Sequence, residues 1–301
     1  MNILFRADSS SIIGTGHIMR DLVLATQYPK ANITFATQEL DGNINHKIKE
    51  SEYKIEVLKS NDIKELDGLI KKLNIDLLVI DHYNIDYKYE KTLKIQNSKL
   101  IILSFDDTYE KHYCDILLNH NISANKKKYK GLVPKHCELR CGAKYTLLRD
   151  EFYKQKKKRR KKISSKKHIF IAMGGADHSN INIKILKVLK KFENLKVNLV
   201  TTTANKNLKE LQKYCKNKKW IDLHINSNQI AKLMRKSDFA IVTPSVTVNE
   251  VYFMELPFIA IMTVNNQIDI YRYLKRKKFL TMKKFNKKML AKNFEQIFKK
   301  V

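Results

Sequence analysis

The stretch "NILFRADSSSIIGTGHIMRDLVLA", residues 2–25, has the pattern of one strand, one loop and one helix. The apolar run at residues 3–5 is typical of a buried strand, and apolar residues recur on one face of the following helix. Between them, Gly14 and Gly16 stand directly before His17, in a chain that has only 8 glycines. Because glycine lets a backbone approach a ligand closely, the stretch predicts an α/β unit with a ligand at its turn.

The same alternation of strand and helix continues along the chain. Runs such as "IDLLVID" and "KLIILSFDD" are typical of buried parallel strands, and helical patterns such as "DIKELDGLIKKL" separate them. The alternation stops at Asp150 to Lys167, where charge replaces apolar periodicity, and restarts with "HIFIAMGG". We therefore expect an α/β protein with two doubly wound, Rossmann-like domains, 1–150 and 168–301, joined by a basic linker at 151–167. The stretch "KKMLAKNFEQIFKK" predicts one amphipathic helix near the end.

The composition narrows the class of protein. Of the 301 residues, 43% are apolar, which is enough for two packed interiors. We find no apolar run that could span a membrane and no signal-peptide pattern, so we expect a cytoplasmic protein whose cysteines are thiols. The net charge of +29 attracts anions in general, including nucleotides and nucleic acid. However, the basic blocks lack interleaved aromatic residues, and the run Lys156 to Lys162 predicts an exposed loop or linker, so we expect no specific nucleic-acid partner.

His17 is the first candidate for chemistry. The loop before it is not a dinucleotide fingerprint, because Met19 stands where a third small residue is needed, and no Gly-Lys-Ser/Thr follows as in a Walker loop. A helix N-terminus disfavours imidazolium, so a neutral His17 there could accept a proton. The alternative is that His17 only packs or caps the helix.

Three predicted strand ends in the second half suit a nucleotide sugar. Backbone N–H groups at Gly174 and Gly175 could hold a phosphate without a metal, or form a simple tight turn. In "PSVTVNE", residues 244–250, we expect Glu250 to open a helix and to accept hydrogen bonds from ribose hydroxyls, or only to complement the helix dipole. In "NNQ", residues 265–267, amides suit sugar hydroxyls or acetamido groups, or a turn.

The sequence predicts no metal site. The pairs Asp81-His82 and Asp106-Asp107 stand at strand ends, but adjacent side chains of a strand point in opposite directions. Cys137 and Cys141 have the wrong spacing for a common zinc site. We therefore expect no metal and no cofactor.

Several motifs carry a resemblance to a known family. In this order, "FRADSSSIIGTGHIMRDLVLA", "LLVIDHY", "SFDD", "CDILLN", "YKGLVP", "RCGAKYTLLRDEFY", "MGGAD", "IAKLMRKSD", "VNE" and "NQ" resemble the UDP-2,4-diacetamido-2,4,6-trideoxy-β-L-altropyranose hydrolases of pseudaminic acid biosynthesis. The resemblance runs from residue 1 to about 280. It implies a GT-B fold, in which two Rossmann-like domains face each other across a cleft, as in the inverting UDP-GlcNAc transferase that makes lipid II. It also implies hydrolysis to UDP and free sugar, by water attack at the anomeric carbon, with inversion and without a metal.

The resemblance assigns roles to residues. It implies that His17 is the catalytic base with Asp8 beside it, and that Tyr83 and Asn266 act around the sugar. Loop 173–177 and Glu250 match the nucleotide half of the site, whereas "VTPSVTVNE" is less serine-rich than expected and leaves the uracil contacts open. Taken together, the predicted substrate-binding residues are Gly14, Gly16, Arg20, Gly174, Gly175, Ser245, Glu250 and Gln267. The expected ligands are the UDP-linked diacetamido-trideoxy sugar and UDP.

An inverting UDP-amino-sugar glycosyltransferase is the alternative function. It shares the fold and the base with the hydrolase, so the motifs separate the two poorly. A transferase that acts on lipid would expose an apolar patch near the first glycine loop. We expect no such patch here, and no membrane partner.

Overall fold

The computed structural model describes residues 1–158, 165–174, 177 and 180–298. The chain forms two compact units, Met1–Leu147 and Leu148–Val301. The start of the predicted linker is helical, because a helix over Asp150–Lys156 packs within the second unit against the helix over Ile230–Lys236. Most of the basic run that begins at Lys156 lies outside the described residues.

The first unit is built on one parallel sheet. Its strands are β1 (Asn2–Ala7), β2 (Asn32–Thr37), β3 (Lys54–Val57), β4 (Leu77–Asp81), β5 (Ile101–Phe105), β6 (Ile116–Asn119) and β7 (Glu138–Cys141). Its α-helices are α1 (Gly16–Ala25), α2 (Asn45–Glu50), α3 (Ile63–Lys72) and α4 (Tyr87–Gln96), with short 3₁₀ helices over Lys126–Tyr129 and Ala143–Tyr145. The strand order is β3-β2-β1-β4-β5-β6-β7, so the direction of winding reverses between β1 and β4.

In the central strand β1, residues 3–5 are continuously apolar because both faces of the sheet are covered. Ile3 and Phe5 are fully buried in a core that includes Ile18 of α1, whereas Leu4 is buried in a second core on the opposite face of the sheet. Successive side chains of a strand point to opposite faces, so a strand that is covered on both faces buries consecutive residues, and residues 3–5 are all apolar. Arg6, which follows them, is also fully buried but is paired with Asp8. The Phe5 ring also stacks on Phe35 of β2, with 4.8 Å between ring centroids.

The second unit repeats this architecture. Its described strands are β8 (Lys167–Ala172), β9 (Leu195–Thr201), β10 (Ile221–Ile225), β11 (Phe239–Val242), β12 (Phe258–Ile261) and β13 (Leu280–Met282). Its described helices are α5 (Asp150–Lys156), α6 (Asn182–Leu189), α7 (Leu208–Cys215), α8 (Ile230–Lys236), α9 (Val246–Phe253), α10 (Ile268–Arg276) and α11 (Lys287–Phe298), with a 3₁₀ helix over Asn265–Gln267. The sheet order β10-β9-β8-β11-β12-β13 reverses between β8 and β11.

Two local predictions have clear outcomes in this unit. Helix α11 confirms the amphipathic helix predicted near the end, with Leu290 and Phe294 fully buried. The prediction that Glu250 opens a helix is wrong, because α9 already begins at Val246 and Glu250 lies in its second turn. The helix starts earlier because Ser245 has the extended backbone of an N-cap residue.

The cysteines and the helix lengths complete the description. All four cysteines are free thiols, and the sulfur atoms of Cys114 and Cys137 lie 3.7 Å apart. Among the described residues, no helix combines the length and the apolar character needed to cross a bilayer.

Candidate functional site

The reversal of strand order in the first unit brings the ends of β1 and β4 together. Ala7, the last residue of β1, pairs with Asp81, the last residue of β4. The chain leaves β1 through the glycine loop and enters α1 at Gly16, which places His17 in the first turn of that helix. As a result, His17 Nδ1 lies 2.7 Å from Asp81 Oδ1. Such switch points are where open α/β sheets bind ligands.

The partner of His17 fixes which ring nitrogen carries the proton. An ionised carboxylate only accepts hydrogen bonds, so Nδ1 donates to Asp81 and Nε2 is left as the acceptor nitrogen. The His17 side chain is 9% exposed and lines a pocket of about 100 Å³ with Asp8, Ile13 and Tyr83 among its other walls. A base with its second nitrogen held by a buried carboxylate is a competent proton acceptor.

Arg20, one turn after His17 on α1, holds Asp81 ionised. Its Nε and Nη2 donate to the two oxygens of Asp81, and its guanidinium lies 4.8 Å from the centre of the Phe105 ring. Burial alone would raise the pKa of Asp81, but the charge of Arg20 and hydrogen bonds from Arg20 and His17 hold that pKa well below its usual range. The contacts of Arg20 in the structure are thus with protein groups, and its predicted contact with substrate stays a prediction.

Tyr83 and Asp107 connect Arg20 back to the histidine. Arg20 Nη1 lies 3.4 Å from Asp107 Oδ2, and the Tyr83 hydroxyl donates to Asp107 Oδ1 over 3.2 Å. The Tyr83 ring in turn meets the His17 ring edge to face, with 5.0 Å between centroids. Partial desolvation by its neighbours, and then the nearby charge of Asp107, raise the pKa of Tyr83 to about 12. Tyr83 therefore remains a neutral phenol, positioned by Asp107 although 65% of it is exposed.

Asp8 lines the His17 pocket but is held by other residues. Its carboxylate accepts two hydrogen bonds from Arg6 (2.7 and 2.8 Å) and one from the Gln38 backbone N–H (2.8 Å), and lies 3.1 Å from His82 Nε2. Burial would raise the pKa of Asp8, but the hydrogen bonds from His82 and Arg6 outweigh it and hold that pKa well below its usual range. The predicted role of Asp8 beside the base stays a prediction.

The glycine loop exposes apolar side chains, contrary to expectation. Ser10 and Gly14 pair their backbones (Gly14 N to Ser10 O, 2.8 Å), and Gly14 has a φ of +86°, which turns the chain outward between them. Ile12 at the tip is 95% exposed and Ile13 is 42% exposed. The prediction that no apolar surface lies near this loop is therefore wrong, because the tight turn leaves these side chains no core to enter.

The second unit carries its predicted residues at the equivalent reversal, after β8 and β11. Gly174 follows β8 with a φ of +78° and open space where a Cβ would stand. Gly175 lies outside the described residues. Asp177 is buried and accepts hydrogen bonds from the backbone N–H groups of Ile181 and Asn182 at the start of α6. After β11, the hydroxyls of Thr243 and Ser245 lie 2.9 Å apart.

Glu250 is the most perturbed acid of this second site. Its side chain is 15% exposed and lies 3.6 Å from Arg149 Nη2, while Arg149 Nη1 lies 2.8 Å from Glu151. Burial raises the pKa of Glu250 to about 7, since the Arg149 charge is shared with Glu151 and only partly offsets the burial. Near neutrality the carboxyl therefore exists in both charge states.

The predicted residues near the end of β12 differ in exposure. Asn266 is exposed. Gln267 is buried, and its amide oxygen accepts a hydrogen bond from Thr263 N over 2.9 Å. Gln267 thus stabilises its own loop, and its predicted contact with substrate stays a prediction, as does that of Asn266.

Sequence comparison identifies the family. The chain is 44% identical over 277 residues to the UDP-2,4-diacetamido-2,4,6-trideoxy-β-L-altropyranose hydrolase of Campylobacter jejuni, a match that covers 92% of this chain and 97% of that one. The chain belongs to this hydrolase family. It is also 31% identical over 288 residues to an uncharacterized protein of Methanocaldococcus jannaschii, over 92% of this chain and 59% of that longer one. No family model matches the chain.

Comparison with solved structures confirms the fold class of this hydrolase. The chain resembles MurG of Acinetobacter baumannii, with a TM-score of 0.67, 11% identity and coverage of 99% of this chain and 90% of that one. It also resembles the spinosyn rhamnosyltransferase SpnG, with a TM-score of 0.70, 9% identity and coverage of 99% and 92%. At such low identities the likeness shows the fold alone, and it confirms the predicted GT-B class of doubly wound α/β domains.

Two residues of the first site, Asp81 and Asp107, are not among those predicted from the sequence. The structure brings the predicted residues His17, Tyr83 and Asp8 to one pocket, but the groups that position the first two are Asp81 and Asp107. In the sequence both belong to motifs of the family resemblance and to pairs that do not suit a metal site, and neither is predicted as a site residue. The signal that could have found Asp81 is its place at the end of the strand that follows the reversal of order. Among the described residues, no group of three or more His, Cys, Asp or Glu side chains could hold a metal ion.

Proposed function

We propose that this protein releases UDP from UDP-2,4-diacetamido-2,4,6-trideoxy-β-L-altrose by water attack at the anomeric carbon, with inversion and without a metal. We place the reaction in pseudaminic acid biosynthesis in the cytoplasm. The observation that carries the proposal is the His17–Asp81 pair, 2.7 Å apart at the switch point of the first sheet. The 44% identity to a hydrolase with this substrate in its name supports the choice of sugar.

The proposed chemistry uses His17 as the general base. Its Nε2 accepts a proton from a water molecule while the water oxygen forms a bond to the anomeric carbon. The bond from that carbon to the UDP oxygen breaks, and its electron pair stays on the β-phosphate. Asp81 stabilises the imidazolium formed, because its carboxylate already accepts a hydrogen bond from the Nδ1–H group. The imidazolium then returns its proton to solvent, and the products are the inverted free sugar and UDP.

The second unit is proposed to hold the leaving group. Backbone N–H groups of loop 173–177 are proposed to bind the pyrophosphate, because a glycine turn after a parallel strand suits an anion. The first N–H groups of α6 already donate to Asp177 and are not part of this proposal. Glu250 in its ionised form suits the ribose hydroxyls, and Ser245 stands nearby in the sequence at the start of α9. Fixed donors of this kind stabilise charge that develops on a leaving oxygen.

The sugar is proposed to lie against the first unit. A cavity of about 710 Å³ shares Asp81, His82 and Tyr83 with the His17 pocket, and buried Phe105 and Ile85 form part of its wall. A diacetamido-trideoxy sugar presents methyl groups and amides, which suit a wall of mixed apolar and polar character. We assign Tyr83, a neutral phenol that lines both cavities, to contact with the sugar and the water.

The test is to supply the UDP-sugar without any acceptor. The proposal predicts that UDP and free sugar appear in equal amounts and that His17→Asn abolishes most of both. The exposed Ile12 and Ile13 favour one second candidate, an inverting UDP-amino-sugar transferase that approaches an apolar acceptor. In that case UDP release would require an acceptor, and the first experiment would show almost none.

A further inference from the structure

Asp21 is a buried acid beside the proposed base that has no role in the reaction as described so far. It lies one helical turn after His17 on α1 and is fully buried. Within the described residues, neither of its carboxyl oxygens meets a hydrogen-bond donor. The charged group that acts on it most strongly is the carboxylate of Asp81, which accepts hydrogen bonds from His17 and Arg20 of the same helix.

A like charge in the same buried site strongly disfavours ionisation of a second carboxyl, and Asp21 has no hydrogen-bond donor among the described residues to offset this cost. Asp81 is the ionised member, because Arg20 and His17 donate to both of its oxygens. Burial, and then the charge of Asp81, raise the pKa of Asp21 well above its ordinary value. A protonated Asp21 has an O–H group, and the ionised Asp81 is its acceptor.

We propose that Asp21 is a positioning residue that keeps its proton at neutral pH and donates it to Asp81, the carboxylate that orients His17. Asp81 then accepts four hydrogen bonds, from His17 Nδ1, Arg20 Nε, Arg20 Nη2 and Asp21, which is about the capacity of one carboxylate. A saturated carboxylate has a single orientation, and it holds the histidine ring in the tautomer that leaves Nε2 as acceptor. The consequence for turnover rests on the proposed function, whereas the protonation of Asp21 does not.

The other groups around the pair agree with a neutral Asp21. From α1 and β4, the charges are those of Arg20 and Asp81, and Asp107 after β5 faces Arg20. His120, after β6, is 2% exposed, and burial together with the Arg20 charge lowers its pKa to about 3, so it is uncharged. Tyr83 is a neutral phenol. An ionised Asp21 would therefore be a third carboxylate beside Arg20, in addition to Asp81 and Asp107. Its charge would also favour the imidazolium form of His17, which cannot accept a proton.

The deciding experiment follows the titration of His17 by NMR in protein with ¹³C-labelled histidine, and assigns its signal by its loss in His17→Asn. Asp21→Asn keeps the shape and a donor but cannot ionise. We expect its His17 midpoint within about half a pH unit of the wild type, because no charge is removed. A midpoint lower by about one unit or more would overturn the proposal, since it would mean that the substitution removed a negative charge. Asp81→Asn, which removes a charge next to the ring, serves as the positive control and must lower the midpoint.

A second variant tests the hydrogen bond itself. Asp21→Leu has a similar shape and no donor, so Asp81 loses one partner and attracts the imidazolium more strongly. We expect its His17 midpoint to rise by about one unit, and an unchanged midpoint would overturn the donor role. If Asp21→Leu does not fold, the titration of Asp21→Asn decides alone.

Turnover separates this inference from the proposed function. With the UDP-sugar, Asp21→Asn should keep kcat within about threefold, and Asp21→Leu should lose about tenfold or more in kcat with little change in KM. Titrations as expected with no hydrolysis by the wild type would contradict the proposed function and leave the role of Asp21 intact. If the enzyme is active but the titrations differ from those expected, the role of Asp21 is contradicted and the proposed function is not.

Discussion

Asp81 is central to the first site because it binds two residues that are distant from it in sequence. His17 and Arg20 stand 64 and 61 positions away, yet both donate to its two oxygens. A buried carboxylate is stable only when its charge and lone pairs are matched, and here Arg20 matches the charge while His17 fills a lone pair. The same contacts orient His17, the proposed base.

His17→Asn tests the base directly. The variant should fold and bind UDP nearly as well as the wild type, because the side chain is assigned to water activation. Its kcat should fall by about 10²–10⁴-fold, the range for losing a general base. Steady-state kinetics with UDP affinity from calorimetry measure both. A near-normal kcat, or a loss of UDP binding in proportion, would make His17 a structural or binding residue.

Asp81→Asn tests the orienting carboxylate. The amide keeps the volume but removes the charge that balances Arg20, and it can donate to His17 Nδ1, which favours the wrong tautomer. We expect kcat to fall by about 10²-fold or more and the free energy of unfolding to fall by about 3–5 kcal/mol, because a buried charge loses its partner. Asp107→Asn, on the half-exposed side of the same guanidinium, should be much milder in a denaturant titration. Equal losses of stability in the two variants would contradict this ranking.

At the scale of elements, the turn from β1 to α1 depends on two glycines for different reasons. Gly14 has a φ of +86°, which L side chains avoid, whereas Gly16 begins α1, has no positive φ and has open space around a Cβ. Only the first is therefore required by the backbone of the free protein. The second is predicted to leave room for substrate.

Gly14→Ala should lower the free energy of unfolding by about 1–2 kcal/mol through left-handed strain. Gly16→Ala should raise it by about 0.4–1 kcal/mol, because alanine restricts the unfolded chain. Urea denaturation measures both. If Gly16 faces the substrate, its variant should nevertheless lose kcat/KM. A Gly16→Ala enzyme with full activity would remove that residue from the binding site.

Helix α9 gives a pH dependence that can be tested on binding alone. Because burial raises the pKa of Glu250 to about 7, falling pH protonates it near neutrality and removes the charged acceptor proposed for ribose. UDP-sugar affinity, measured with His17→Asn to prevent turnover, should therefore be highest above neutrality and decline below it. Glu250→Gln should bind about 1–3 kcal/mol more weakly at alkaline pH and show a flat profile over this range. The same slope in both proteins would assign the titration to another group.

The sequence predicts where the strands and helices lie better than it predicts which residues contact each other. Short apolar runs and helical periodicity are local signals, so β1, β4, β5 and α11 could be located without the structure. The contact between His17 and Asp81 cannot be predicted from the local sequence, because it depends on the order of strands in the sheet. The start of α9 was misplaced because Ser245 does not bond the helix through its side chain, so its capping role has a weak signature. Exposure of Ile12 likewise depends on the backbone pairing of Ser10 with Gly14.

For the whole molecule, one topology is used twice. Both sheets reverse their order after the first strand of the unit, and most of the predicted site residues lie near the ends of the two strands that flank the reversal. Asn266 and Gln267 are the exceptions, because they follow β12. The net charge of +29 provides a field that attracts an anionic UDP-sugar, while the charges around His17 are locally paired. In the proposed reaction, proton transfer therefore depends on the ion pairs around His17, whereas attraction of the anionic substrate depends on the charge of the whole surface.

In the proposed mechanism, a water molecule activated by His17 attacks the anomeric carbon. Hydrolysis of the UDP-sugar in H₂¹⁸O with EDTA present, followed by ³¹P NMR and by mass spectrometry of the sugar, tests it most directly. We expect that turnover persists, that the label is incorporated into the sugar at the anomeric carbon, and that UDP is unlabelled. Label in the β-phosphate of UDP would mean that water attacked phosphorus, and loss of turnover that added Mg²⁺ restores would mean that a metal takes part. Either result would contradict the mechanism.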